Sequence, residues 1–178
     1  MALLKIQSYQ PKITDSFLFD NNVWVFLFGP ISNVDKQKQI IYSAFLKEVR
    51  QRKCAIFINS LILSEFCNYW LRLEFNLWKK QFGVQKEIKR DFKPTQKYLD
   101  TVSEIKNAIK SILSSTERGT DNFNNINLDN IFDNFGSCDF NDSYYIELAQ
   151  TNNWKIVTDD ADFLNYSNNV DVITANYK

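Results

Sequence analysis

Four short runs along the chain are apolar without alternation: Phe17-Leu18-Phe19, Cys54-Ala55-Ile56-Phe57-Ile58, Ile156-Val157-Thr158 and Val172-Ile173-Thr174. A strand buried on both faces needs this pattern, because successive side chains point to opposite sides of a sheet. Between the runs the period lengthens. Residues 34–52 place Ile40, Ile41, Ala44, Phe45 and Val49 at steps of one to four with charges opposite, which predicts an amphipathic helix. Residues 61–82 are apolar almost all round, with Phe66, Trp70, Leu73 and Leu77 on one side, and predict a second helix. Pro94 suits the first helical position of a third, which reaches Ser114. Gly119 to Asn130 is rich in Asn and Asp and reads as loop, and a helix near 141–152 leads into the third strand. Strands alternating with helices predict an α/β fold, a three-layer α/β/α sandwich with a mainly parallel sheet. No repeat and no linker divides residues 1–178, so the reading is one domain with a helical extension at 83–118.

Composition narrows the chemistry. The 178 residues are 44% hydrophobic and 24% charged, ordinary for a globular domain that can bury a core. The longest apolar run, Val23 to Phe28, is far short of a membrane span, and the N-terminal stretch lacks a signal-peptide pattern. The expectation is a cytoplasmic protein without a membrane partner. Three cysteines, Cys54, Cys67 and Cys138, make no CxxC pair and read as buried thiols. There is no histidine, which excludes Ser-His-Asp and Cys-His triads and any His-based zinc site. Catalysis must then come from carboxylates, hydroxyls or amines.

The zero net charge hides a segregation. Residues 35–53 carry six Lys/Arg against two acids, and residues 79–118 carry ten against five. Residues 119–178 carry two Lys against ten acids. Basic helical segments beside an acidic end suit a metal site flanked by a polyanion-binding surface, although Lys-rich helices also serve as solvated faces.

The acids fall at particular places. Asp20 ends the first strand in SFLFDNNVW, and Asp159 and Asp160 end the third in KIVTDDADF. In a parallel sheet both ends lie at the carboxyl edge, where open α/β folds collect ligands. Glu65 lies about one turn into the helix after the second strand, and Asp142 opens the helix of DFNDSYYIELA. Taken singly, Asp142 or Asp139 reads as a helix cap and Asp159-Asp160 as a polar turn. Taken together, four segments deliver carboxylates to one rim. Two carboxylates about 5 Å apart repel by roughly 3 kcal/mol at an effective dielectric near 20. Such a cluster needs protons or a cation, and oxygen-only donors suit Mg²⁺ or Mn²⁺.

These stretches resemble the PIN-domain nuclease family. FLFDNNVWVFLF is similar to its opening, a strand ending in Asp, a polar residue, Asn and an apolar helix. DFNDSYYIELAQTNNWKIVTDDADF resembles its closing signature, an Asp-led helix, a turn, an apolar strand and Thr-x-Asp-x-Asp-Phe. ILSEF supplies the helix glutamate between them. The resemblance covers residues 16–82 and 128–175, and the stretch at 83–118 is longer than in compact VapC-like toxins.

The resemblance implies a Mg²⁺- or Mn²⁺-dependent endoribonuclease that leaves 5′-phosphate and 3′-hydroxyl ends. It assigns Asp20, Glu65, Asp142 and Asp160 to the catalytic and metal-binding quartet, with Asp162 as a further ligand. Asn22 would order the turn, Thr158 would bond Asp20 or a metal water, and Asp139 would be an accessory. The partners it implies are an RNA substrate, an antitoxin protein in the toxin-antitoxin case, and a second subunit in a homodimer. The apolar helix 61–82 offers a surface for the extension, a twin or an antitoxin, and Trp78, Phe82 and Tyr98 are candidate base-stacking rings. The alternative is a PIN-like scaffold that binds without catalysis. An aspartyl phosphatase would want Asp where Asn22 stands, a receiver domain fails on the order of its acids, and the G-x-x-x-x-G-K-[S/T] loop is missing.

Overall fold

In the computed structural model, which describes residues 2–30, 35–82, 85–166 and 169–176, each of the four apolar runs supplies a strand. In chain order the elements are β1 (Leu3–Lys5), β2 (Ser16–Phe19), α1 (Asn21–Phe28), α2 (Lys36–Gln51), β3 (Ala55–Ile58) and α3 (Ser60–Phe82). Then come α4 (Gln96–Leu113), β4 (Glu117–Arg118), α5 (Leu128–Asn134), α6 (Phe140–Asn152), β5 (Lys155–Val157) and β6 (Val172–Thr174). The six strands form one sheet in the order β1-β6-β5-β2-β3-β4, and every neighbouring pair is parallel.

Side-chain parity sets the layers. Phe17, Leu18 and Phe19 are all buried, so both faces of β2 are covered. On one face Phe17 and Phe19 meet Phe45 of α2, with ring centroids 5.8 and 6.1 Å apart. On the other, Phe57 lies beside Leu18 in register and stacks at 4.4 Å on Trp154, where α6 turns into β5. Helical segments thus pack on both sides of the sheet, the three-layer α/β/α arrangement. The chain runs from β2 to β3 to β4, then returns past β2 to β5. Strand order therefore reverses between β2 and β5, where the carboxyl edge opens a crevice.

The structure corrects several sequence expectations. Thr95, not Pro94, starts α4: its hydroxyl accepts from Tyr98 N at 3.2 Å, and Pro94 stands outside the helix. The extension is not helical throughout, because it ends in β4, a two-residue edge strand on β3. The Asn-rich stretch is not all loop: Asn127 caps α5 by accepting from Asp129 N at 3.0 Å. Residue 34 lies outside the described residues, and α2 begins at Lys36 with Asp35 as its cap.

Trp78 and Tyr98 are packing residues rather than free rings. Fully buried Phe92 sits 5.7 Å from Phe75, 5.4 Å from Trp78 and 5.6 Å from Tyr98, which seals the extension onto α3. Of the three proposed stacking rings only Phe82 is well exposed, and it stacks on Trp78 at 4.9 Å. Beside this cluster Glu74 is 6% exposed and pairs with Lys97 at 2.6 Å. No described helix is long and apolar enough to cross a membrane. All three cysteines are free thiols, but only Cys138 is buried; Cys54 and Cys67 are half-buried.

Candidate metal centre at the carboxyl edge of the sheet

Asp20 follows β2 at the strand reversal. Its amide continues the ladder by donating to Val157 O at 2.9 Å, and its Oδ1 caps α1 by accepting from Asn21 N at 2.6 Å. Its Oδ2 accepts from Asn22 Nδ2 at 2.6 Å and from Thr158 Oγ1 at 2.8 Å. The Thr158 hydroxyl in turn accepts from Asn22 Nδ2 at 3.1 Å and from Asp160 N at 3.0 Å. Thr158 is fully buried, so one hydroxyl with three partners joins the ends of β2 and β5.

The paired aspartates after β5 part company. Asp159 turns to α2, where Lys38 Nζ pairs with its Oδ1 at 2.6 Å and the buried Tyr42 hydroxyl lies 2.9 Å away. Its amide donates to Asn22 Oδ1 at 3.2 Å. Asp160 has no cationic partner among the described residues, and its Oδ1 accepts from Asp162 N at 2.9 Å. Asp162 itself is exposed, at the start of a single 3-10 turn (Asp162–Tyr166), and its amide is the group it gives the cluster.

Two more acids come from helices. Asn59 Oδ1 caps α3 by accepting from Ile62 N at 3.0 Å, which aims the start of α3 at the edge and carries Glu65 one turn inward. Both Glu65 oxygens are engaged, Oε1 by Asn141 Nδ2 and Oε2 by the Tyr145 hydroxyl at 2.7 Å. Asp139 caps α6 by accepting from Asp142 N at 2.9 Å. That leaves the Asp142 carboxylate with no protein donor among the described residues. Asn141 and Tyr145 as holders of Glu65 escaped the sequence reading. Their one signal is position, i and i+4 on the face of α6 that also carries Asp142.

Electrostatics ties these acids together. Burial pushes the Asp20 carboxyl up to about 7; bonds from Thr158 and Asn21 oppose it, and the charges of Glu65 and Asp160 add to it. Burial also pushes Asp142 up to about 8, reinforced by Asp20, Asp139, Asp160 and Glu65. Burial and the adjoining Glu65 charge raise the Tyr145 phenol, so it stays a donor. The quartet from four elements is therefore mutually coupled. Burial and the neighbouring acids thus favour the protonated forms of Asp20 and Asp142 far more than water does.

The side chains gathered here offer oxygen donors only, the kind that suits a hard cation. Among the described residues no three Asp, Glu or Cys side chains converge closely enough to chelate one ion directly. Mg²⁺ needs only one or two carboxylates and keeps several waters, which reach carboxylates set farther apart. Asp142 is unengaged and Asp160 has a free oxygen, while Asn21 Oδ1, next in the chain to Asp20, is buried without a donor. All of these are acceptors, the complement of a water-bearing cation.

No family model matches the sequence, and no curated protein does either. Among solved structures, the crystal structure of PAE2754 from Pyrobaculum aerophilum is similar, at 18% identity and a TM-score of 0.48. The match covers 94% of this chain and 88% of that one.

Proposed function

We propose that this edge is the active centre of a Mg²⁺- or Mn²⁺-dependent endoribonuclease. The observation that carries the reading is that four acids from separate elements, Asp20, Glu65, Asp142 and Asp160, are near enough to raise one another's carboxyls, with no ion pair to lysine or arginine among the described residues. When bound, the metal supplies a more acidic water and stabilises charge on the phosphoryl group. The chain's own residues do the rest. Asp142 and Asp160 offer unengaged oxygens to the hydrated cation, and Asp20 backs them from the buried side. Thr158 and Asn22 hold Asp20 in one rotamer, and Tyr145 and Asn141 hold Glu65 as an acceptor for a water proton. Asp139 fixes the first turn of α6, and Asp162 fixes Asp160 through its amide.

RNA is the substrate this reading takes, with a toxin role and an antitoxin as its biological extension. A small DNA-binding reading frame beside the gene is the expected companion. The second reading, a scaffold that binds without catalysis, draws on the full engagement of Glu65 and the absence of a direct three-acid chelate among the described residues. A cleavage assay on single-stranded RNA with Mn²⁺ decides between them. Cleavage should be lost in EDTA and fall by about a thousandfold or more in Asp20→Asn. Equal turnover by wild type and Asp20→Asn overturns the nuclease reading. Calorimetry showing no millimolar-or-better Mn²⁺ binding that depends on Asp142 and Asp160, with no cleavage of any RNA, would favour the scaffold.

A further inference from the structure

The direct bridge from α3 to α6 is Glu65, held by Asn141 and Tyr145. A second bridge joins the same two helices through a residue that lies on neither. Asp121 Oδ2 accepts from the hydroxyl of Ser60, the first residue of α3, at 2.8 Å. The Asp121 carbonyl accepts from the hydroxyl of Tyr144 on α6. Ser60 stands five residues before Glu65, about 7.5 Å along the helix axis, and Tyr144 is the chain neighbour of Tyr145. One bridge alone leaves α3 free to pivot about Glu65, whereas two bridges set apart along the helix fix its rotation against α6.

Asp121 is itself firmly placed. Two residues before it, Gly119 N extends the pairing of β3 with β4 by donating to Ile58 O at 2.8 Å. One residue after it, Asn122 takes a left-handed conformation with φ 54°, which asparagine tolerates. The Asn122 carbonyl accepts from Asn125 N at 2.9 Å and from Ile126 N at 3.0 Å, and Ile126 is part of the buried core. The segment is thus pinned to β3 on one side and to the core on the other. Asp121 Oδ1 is buried with no donor among the described residues, so this carboxylate gives up hydration to make the Ser60 bond. Burial and the Asp121 charge raise the Tyr144 phenol, which keeps it a donor.

We propose that Asp121 is a positioning residue for Glu65: by tying Ser60 to Tyr144 it sets the angle at which α3 presents the glutamate to Asn141, Tyr145 and the neighbouring acids. The consequence for metal binding rests on the reading of this edge as a metal centre, whereas the positioning itself does not.

Ser60 is exposed, and Ser60→Ala breaks the bridge while leaving every charge in place. In the metal-free full chain the Asn141 side-chain amide resonances report its bond to Glu65. They should move toward those of a free amide in both Ser60→Ala and Asp121→Ala, and return in Ser60→Thr, which keeps the hydroxyl. Calorimetry should show Mn²⁺ affinity falling roughly threefold or more in Ser60→Ala. The melting temperature should stay within about 2 °C of the wild type. In Tyr145→Phe, where Glu65 is already loosened, adding Ser60→Ala should cost less affinity than it does alone. Asn141 resonances unchanged in both variants overturn the proposal. So does an equal loss of affinity with and without Tyr145, which places the effect away from Glu65, and so does a loss confined to Asp121→Ala, which makes Asp121 a remote charge. If the wild type binds no Mn²⁺, the metal reading fails and the Asn141 resonances alone decide the positioning.

Discussion

Glu74 and Asp20 are equally buried, 6% and 7% exposed, yet they are treated in opposite ways. Glu74 lies where the extension meets α3 and has the Lys97 ammonium at 2.6 Å. Among the described residues Asp20, at the carboxyl edge, has no cationic partner; Asn21, Asn22 and Thr158 are its donors, with further acids around it. A buried charge in an ordinary packing region receives a counter-charge, because an unpaired one costs several kcal/mol. At the edge neither Asp20 nor Asp142 has such a partner among the described residues, and burial raises both carboxyls instead. The contrast is that the extension gives its buried acid a counter-charge, whereas the edge gathers acids whose carboxyls burial and mutual repulsion hold well above the usual range. Local rule-breaking of this kind concentrates at functional sites.

The comparison can be broken most forcefully at Asp142. Asp142→Asn should cut RNA cleavage by roughly a thousandfold or more while making the metal-free protein melt higher, since it removes a crowded carboxyl. Loss of stability with activity retained would reverse the assignment. The next largest effect is on pH. Asp20 and Asp142 are raised to about 7 and about 8 from 3.8, so between pH 4 and 8 the native state holds protons that the unfolded chain has released. Stability of the metal-free protein should therefore be fullest below about pH 4 as far as these groups govern it, and decline as pH rises through 7 and 8. Thermal melts should show a fall of several degrees across that window, roughly 2–4 °C per kcal/mol, and millimolar Mn²⁺ should flatten it. A flat metal-free profile would contradict the coupling.

Smaller effects sharpen the two sides. Lys97→Met leaves Glu74 buried without its cation, and should cost roughly 1–3 kcal/mol, less than a fully buried pair because Lys97 is partly exposed. It should leave cleavage unchanged, and a melt with a parallel activity assay checks both. Tyr145→Phe removes one donor from Glu65, and should weaken Mn²⁺ binding about tenfold with little change in melting temperature. Unaltered Mn²⁺ affinity in that variant would mean that Glu65 stands outside the centre.

Most of this arrangement was legible where burial is two-sided or an acid sits at an element's end. β2, β3, β5 and β6 are apolar on both faces, and Asp20, Glu65, Asp142 and Asp160 fall at fixed offsets from them. β1 and β4 were illegible because edge strands need no second apolar face: Glu117 and Arg118 are exposed and pair by backbone alone. α5 was hidden because Ile131 is its one fully buried residue, too little for a period. The two aspartates of Asp159-Asp160 were told apart by the resemblance, but the physical reason needs Lys38 and Tyr42, which meet Asp159 only across the fold. The hold of Asn141 and Tyr145 on Glu65 spans 76 and 80 residues, and no local pattern reports it.

The return of the chain past β2 has a consequence for synthesis. β2 is made early, but its neighbour β5 lies 138 residues further along, where Thr158 reaches back to Asp20. During translation a nascent chain lacking α6 and β5 carries Asp20 and Glu65 without the other half of the quartet, and long-range parallel pairing of this kind forms slowly. The cluster is thus completed only once β5 is made, so a shorter nascent chain holds no complete set of these acids.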